Sequence, residues 1–140
     1  MPEVLQILNQ YSLRNTEIRR EILSLFINTD YALSHQFIEK QLVAQFDRVT
    51  LYRTLKTFEE KGLIHRIAND RDVIEYALCK EDCHEHDHKH SDNHAHFRCE
   101  NCQKTIFLDK VGIPDLHIPF GFKARDFQLI VSGICNNCNV

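Results

Sequence analysis

Two C-x-x-C pairs restrict this chain more than any other feature: Cys99-Glu100-Asn101-Cys102 and Cys135-Asn136-Asn137-Cys138. Two residues between cysteines allow a tight turn that aims both sulfurs at one point. Two such turns supply the four thiolates that tetrahedral Zn2+ takes in a structural site. The pairs are separated by 32 residues, more than the spacing of a short zinc ribbon. An ion held by all four therefore staples a whole subdomain. A redox C-x-x-C or ordinary buried thiols are the competing uses of such residues, and the repetition of the spacing favours zinc.

The 140 residues, 43% of them hydrophobic, suffice for one ordinary domain or two small ones. No apolar run approaches the ~20 residues that span a bilayer, and the N-terminus lacks the basic-then-apolar pattern of a signal peptide. The expectation is a cytoplasmic protein with no membrane partner, where reducing conditions suit thiolate ligands better than disulfides. The formal net charge is −3, so bulk electrostatics gives no support to nucleic-acid binding, and any such reading must come from local placement.

Along residues 3–11, Val4, Ile7, Leu8 and Tyr11 fall at helical spacing. A second helix is expected from Thr16 to Ile27, with Asn15 as N-cap and Ile18, Ile22, Leu25 and Phe26 inward. Ser34 caps a third helix that turns Phe37, Ile38 and Leu42 inward, with His35 as an exposed residue of its first turn. Asp47 caps a fourth helix, Arg48 to Lys61, which Gly62 stops. At 3.6 residues per turn Leu51, Leu55 and Phe58 share its buried face, while Val49, Arg53 and Lys56 point outward with Tyr52 on the flank. Arg forms bidentate bonds to guanine and Tyr contacts thymine methyls and phosphates, so this outer face is equipped for a major groove; an ordinary solvated face is the alternative. Two short strands, 63–68 and 73–78, joined by the turn 69–72, complete the order of a winged helix-turn-helix.

Residues 79–96 hold six of the nine histidines and no large apolar side chain. Most of this stretch reads as a linker in which His84, His86, His88 and His90 scavenge metal weakly. Beyond it the chain reads as sheet, with strands at 95–98, 105–109 and 127–134, and Pro114 and Pro119 argue against a long helix between the last two. The expected architecture is α+β: a winged helix-turn-helix domain over 1–78, a His-rich linker over 79–93, and a small, mostly sheet α/β dimerization domain with a four-cysteine zinc site over 94–140.

The segment from Asp47 to Leu55 (DRVTLYRTL), followed by Glu60-Lys61-Gly62-Leu63-Ile64, resembles the recognition helix and first wing strand of the ferric uptake regulator family of metal-dependent repressors. Leu13-Arg14-Asn15-Thr16 with Arg19 is similar to that family's basic N-terminal element, and Cys99, Cys102, Cys135 and Cys138 to its structural zinc ligands. The resemblance runs from about Leu13 to Cys138. It implies a homodimer on palindromic operator DNA, contacted through Arg14, Arg19, Thr50, Tyr52, Arg53 and Lys56, with no small-molecule substrate and no enzymatic activity.

The resemblance also implies a second, regulatory metal site. Iron- and peroxide-responsive members carry ligands where this chain has Ala32 and Ala77, and a further site of the family uses positions that are Phe107 and Phe127 here; none of the four side chains can bind an ion. Zinc-responsive members are similar at His65, Cys79, His94 and His96, a thiolate with imidazoles that suits Zn2+ over octahedral Fe2+ or Mn2+. Cys83, His84 and Asp87 are rival ligands nearby. The implied function is a repressor with zinc as corepressor, controlling zinc-uptake genes. The alternatives are an iron- or peroxide-responsive regulator using Fe2+ or Mn2+, and a zinc buffer built on the histidine run. A nucleobase deaminase is disfavoured, because His84 adjoins Glu85 and Arg98 stands where that signature requires proline.

Overall fold

The structure is a computed structural model that describes residues 2–69, 72–78, 95–108, 116–124 and 128–139. The turn residues Asp70 and Arg71, the linker 79–93, and Cys79, Cys83, His84, Asp87, His94 and Phe127 lie outside the described residues. The chain divides into two compact units, Met1–Leu78 and Cys79–Val140.

The first unit is built from α1 (Pro2–Gln10), α2 (Glu17–Ile27), β1 (Leu33–Ser34), α3 (His35–Leu42), α4 (Arg48–Glu60), β2 (Ile64–Ile67) and β3 (Glu75–Leu78). Its helices begin and end for local chemical reasons. Ser34 Oγ accepts the Phe37 amide at 3.0 Å and Asp47 Oδ1 accepts the Thr50 amide at 2.8 Å, so both caps occupy the expected places. The second helix differs by one position. Thr16, not Asn15, is the N-cap, because its Oγ1 takes the Arg19 amide while Asn15 Oδ1 is engaged by Arg20 Nη1. At the end of α4, Gly62 sits at φ +80°, its amide reaching Glu59 O and the Leu63 amide reaching Phe58 O. The end of α1 closes in the same way through Ser12 at φ +56°, with Leu13 N bonded to Leu8 O.

The core of this unit gathers Leu8 from α1, Ile22, Leu23 and Phe26 from α2, Ile38 from α3, and Leu51, Leu55 and Phe58 from α4. Ile18 and Leu25 are only partly buried against it, and Phe37 is exposed, contrary to the inward stripe expected from spacing alone. An eight-residue helix has one narrow buried row, and Ile38 and Leu42 fill it. The small antiparallel sheet has the order β1-β3-β2, with Leu33 opposite Tyr76 and His65 opposite Ala77. Its β2–β3 pair is the wing, and β1 ties the wing to the start of α3.

The second unit contains β4 (Ala95–Cys99), β5 (Thr105–Leu108) and β6 (Leu129–Gly133) in the order β5-β4-β6. The β4–β5 pair is antiparallel and β4–β6 is parallel, with Cys99 in register with Gly133. Among the described residues, four helices with two small sheets make the α+β fold that the sequence predicts. Among the described residues, no helix is long and apolar enough to cross a membrane.

Candidate functional site

Parallel pairing of β4 and β6 sends the C-terminal ends of both strands to the same end of the sheet. Each strand there runs straight into a C-x-x-C turn. The first turn reverses β4 into β5: the Cys99 amide bonds Lys104 O at 2.9 Å, the Gln103 amide bonds Cys99 O at 3.0 Å, and Gln103 takes φ +67° to close the loop. The second follows β6 and is closed by the Cys138 and Asn139 amides on Cys135 O. A 2.7 Å bond from the Glu100 amide to Gly133 O joins the two turns.

The four sulfurs consequently lie within 4.8 Å of one another. Cys102 Sγ and Cys135 Sγ are 3.9 Å apart, far beyond the ~2.05 Å of a disulfide. A tetrahedron with Zn–S bonds of about 2.3 Å places its sulfurs about 3.8 Å apart, so the cluster is of the right size for zinc. The amides of Cys102 and Cys135 each point at Cys99 Sγ from 3.4 Å. Those two amides, assisted by Asn101, hold the Cys99 thiol down to about 6. At Cys138 the Asn101 side chain lowers the thiol, but the neighbouring thiols, Cys135 first, and burial push it up to about 11. Four crowded thiols resist shedding all their protons together, and a divalent cation removes that resistance.

The proposed regulatory ligands are placed less completely. His65 is buried on β2 and His96 is fully buried on β4, while Cys79 and His94 lie outside the described residues. Each buried histidine faces an apolar residue across its sheet. His65 is in register with Ala77, and His96 with Phe107, whose ring meets the imidazole edge-on at 5.7 Å.

On the outer surface of α4, Tyr52, Arg53 and Lys56 are exposed beside Val49, and Thr50 is partly buried with its amide on the Asp47 cap. Arg14 is exposed, and Arg19 Nη1 donates to its carbonyl at 3.0 Å, bracing the turn that presents it. One group on this surface has no signal in the sequence pattern: Glu39 of α3 accepts from Arg48 Nε and from the Tyr52 hydroxyl. His35, expected as an exposed helix-start residue, is instead partly buried, its ring centroid 5.9 Å from that of Tyr52. These contacts come from the packing of α3 on α4, which residue spacing within either helix does not report.

The sequence profile of the "Ferric uptake regulator family" matches residues 10–130. This chain belongs to that family. Over 142 residues it is 24% identical to the ferric uptake regulation protein of Staphylococcus aureus, an alignment that covers 97% of this chain and 96% of that protein. Among solved structures, a zinc uptake regulator complexed with zinc and DNA shares the fold with a TM-score of 0.67 and 21% identity, covering 98% of this chain and 91% of that one. The ferric uptake regulator of Francisella tularensis with iron gives 0.57 at 26% identity, covering 91% and 96%. Members of the family are metal-dependent transcription regulators and not enzymes, and this chain is one of them.

Proposed function

We propose that this regulator is a repressor with zinc as its corepressor, acting in the cytoplasm as a homodimer on palindromic operator DNA and controlling zinc-uptake genes. One observation carries the choice of metal. Both buried histidines, His65 and His96, stand opposite apolar residues, Ala77 and Phe107; the first is a position where the resemblance implies a ligand in iron- and peroxide-responsive members, and the second belongs to a further metal site of the family. A methyl group and a phenyl ring offer no oxygen, and hard, octahedral Fe2+ or Mn2+ is left short of ligands there. His65 and His96, joined by Cys79 and His94, make a nitrogen-and-sulfur set suited to tetrahedral zinc. Cys99, Cys102, Cys135 and Cys138 hold a separate, structural zinc ion.

In this reading α4 enters the major groove. Arg53 reads base edges, Tyr52 meets thymine methyls and phosphates, Thr50 and Lys56 meet the backbone, and Arg14 and Arg19 contact phosphates and the minor groove. Zinc at the regulatory residues acts only through the difference in its affinity for DNA-competent and DNA-incompetent arrangements of the protein.

DNA binding measured by fluorescence anisotropy, in parallel titrations of free Zn2+, Fe2+ and Mn2+, tests the proposal. Zinc is expected to switch binding on, and Cys79→Ser and His65→Ala to abolish that response while leaving the structural zinc in place. Activation by iron or manganese but not zinc, or a normal zinc response in both variants, overturns it.

A further inference from the structure

An acidic side chain lies against the surface assigned to DNA, bonded to Tyr52. His35 and Glu39 are four residues apart on α3, and Arg48 and Tyr52 four apart on α4, so each pair lies in one row of its helix. The rows face each other. Glu39 Oε1 accepts from Arg48 Nε at 2.5 Å, and Oε2 accepts from the Tyr52 hydroxyl at 2.9 Å. The Tyr52 hydroxyl first, and then Arg48, hold the Glu39 carboxyl below the usual carboxylate range, so it is charged at neutral pH. Its side chain is 17% exposed, against 69% for Arg48.

A carboxylate that takes one guanidinium N–H and one phenol O–H uses the donors that a phosphodiester oxygen would otherwise take. With Arg48 largely exposed, an ion pair of this kind adds little to stability. Its larger effect falls on an incoming polyanion. We propose that Glu39 is an internal competitor for the DNA-reading surface: it occupies Arg48 and Tyr52 and sets a negative charge beside them, lowering affinity for duplex DNA of arbitrary sequence. This rests on the reading of α4 as the groove helix. The consequence is specificity, because contacts that tighten binding to every sequence equally are the ones suppressed.

The test uses full-length, zinc-loaded protein and a labelled duplex of mixed sequence, with binding measured across a range of salt. Glu39→Gln keeps the shape and removes the charge. It is expected to bind about three- to fivefold tighter at low salt, with a log–log salt slope steeper by about 0.9, one released counterion for the freed Arg48. Arg48→Ala is expected to change affinity by less than about twofold in the wild-type background and to cancel the gain in the Glu39→Gln background. Unchanged affinity and slope in Glu39→Gln, or an equal Arg48→Ala effect in both backgrounds, overturns the proposal. If the Gln variant loses helix content, the single Arg48→Ala variant decides: a loss beyond about fivefold shows Arg48 already engaged with DNA and not held by Glu39. Arg53→Ala separates the two layers. Weakened binding there beside an unchanged Glu39→Gln removes only the competitor, whereas unchanged binding in both removes α4 from the DNA surface.

Discussion

Withdrawing zinc from the four cysteines should unfold the second unit while the first stays folded. The reason is the distribution of apolar burial. The main core cluster lies wholly within residues 4–78. Among the described residues of the second unit, the buried apolar side chains are Ala95, Cys99 and Cys135, and two of these belong to the four-cysteine cluster. The larger apolar side chains of the three strands, Phe97, Ile106, Phe107, Leu108, Leu129 and Ile130, are only half-buried, so apolar burial within the unit is thin. Ordering the 14 residues of β4, β5 and β6 costs roughly 1–2 kcal/mol each in backbone entropy. Zinc at four thiolates contributes an apparent ~10–16 kcal/mol in small metal-folded domains at neutral pH, the same order as that cost. The assay is amide hydrogen exchange with and without a strong chelator under reducing conditions. Protection in 95–99, 105–108 and 129–133 should collapse, while α2 and α4 keep theirs. Retained protection in the three strands, with all four thiols shown by alkylation to be metal-free, would refute this reasoning.

Three further outcomes concern the first unit. Phe58→Ala removes a fully buried ring from the inner face of α4 and should cost about 3–5 kcal/mol, seen as a large drop in the denaturant midpoint together with loss of DNA binding. Gly62→Ala places a Cβ at φ +80° and should destabilise by about 1–2 kcal/mol; a neutral effect in chemical denaturation would mean that the turn rearranges. The Asp47 carboxyl is held below its ordinary value by its hydrogen bonds from Thr50. A depressed folded value means that this cap's contribution is intact above the ordinary carboxylate range and lost as pH falls through the folded value. Asp47→Asn should therefore flatten the acid limb of the stability–pH curve, and an acid limb identical to wild type would contradict it.

Local chemistry was legible along the sequence. Ser34, Asp47 and Gly62 act through hydrogen bonds and a backbone angle that depend on the next two or three residues, and each sits where its type predicts. The Asn15–Thr16 pair shows the limit, since both are good caps and the choice follows from which one Arg20 engages. Non-local pairing left no mark. Strand β1 is two residues long and exists because Leu33 and Ser34 meet β3 some forty positions later. The parallel β4–β6 register, which carries the two C-x-x-C turns to one place, is likewise set by a partner distant in the chain. The cysteine spacing announced the cluster but not the strand order that assembles it. Glu39 was invisible for the same reason, because its partners lie on a different helix.

The central claim is that a second zinc, distinct from the structural one, switches DNA binding on. It is tested most directly by following DNA affinity and bound zinc per chain in one preparation as free zinc is raised. The account predicts weak binding with one zinc per chain and a steep gain in affinity as the second is taken up. Full affinity at one zinc per chain, or a second zinc that binds without changing affinity, would contradict it.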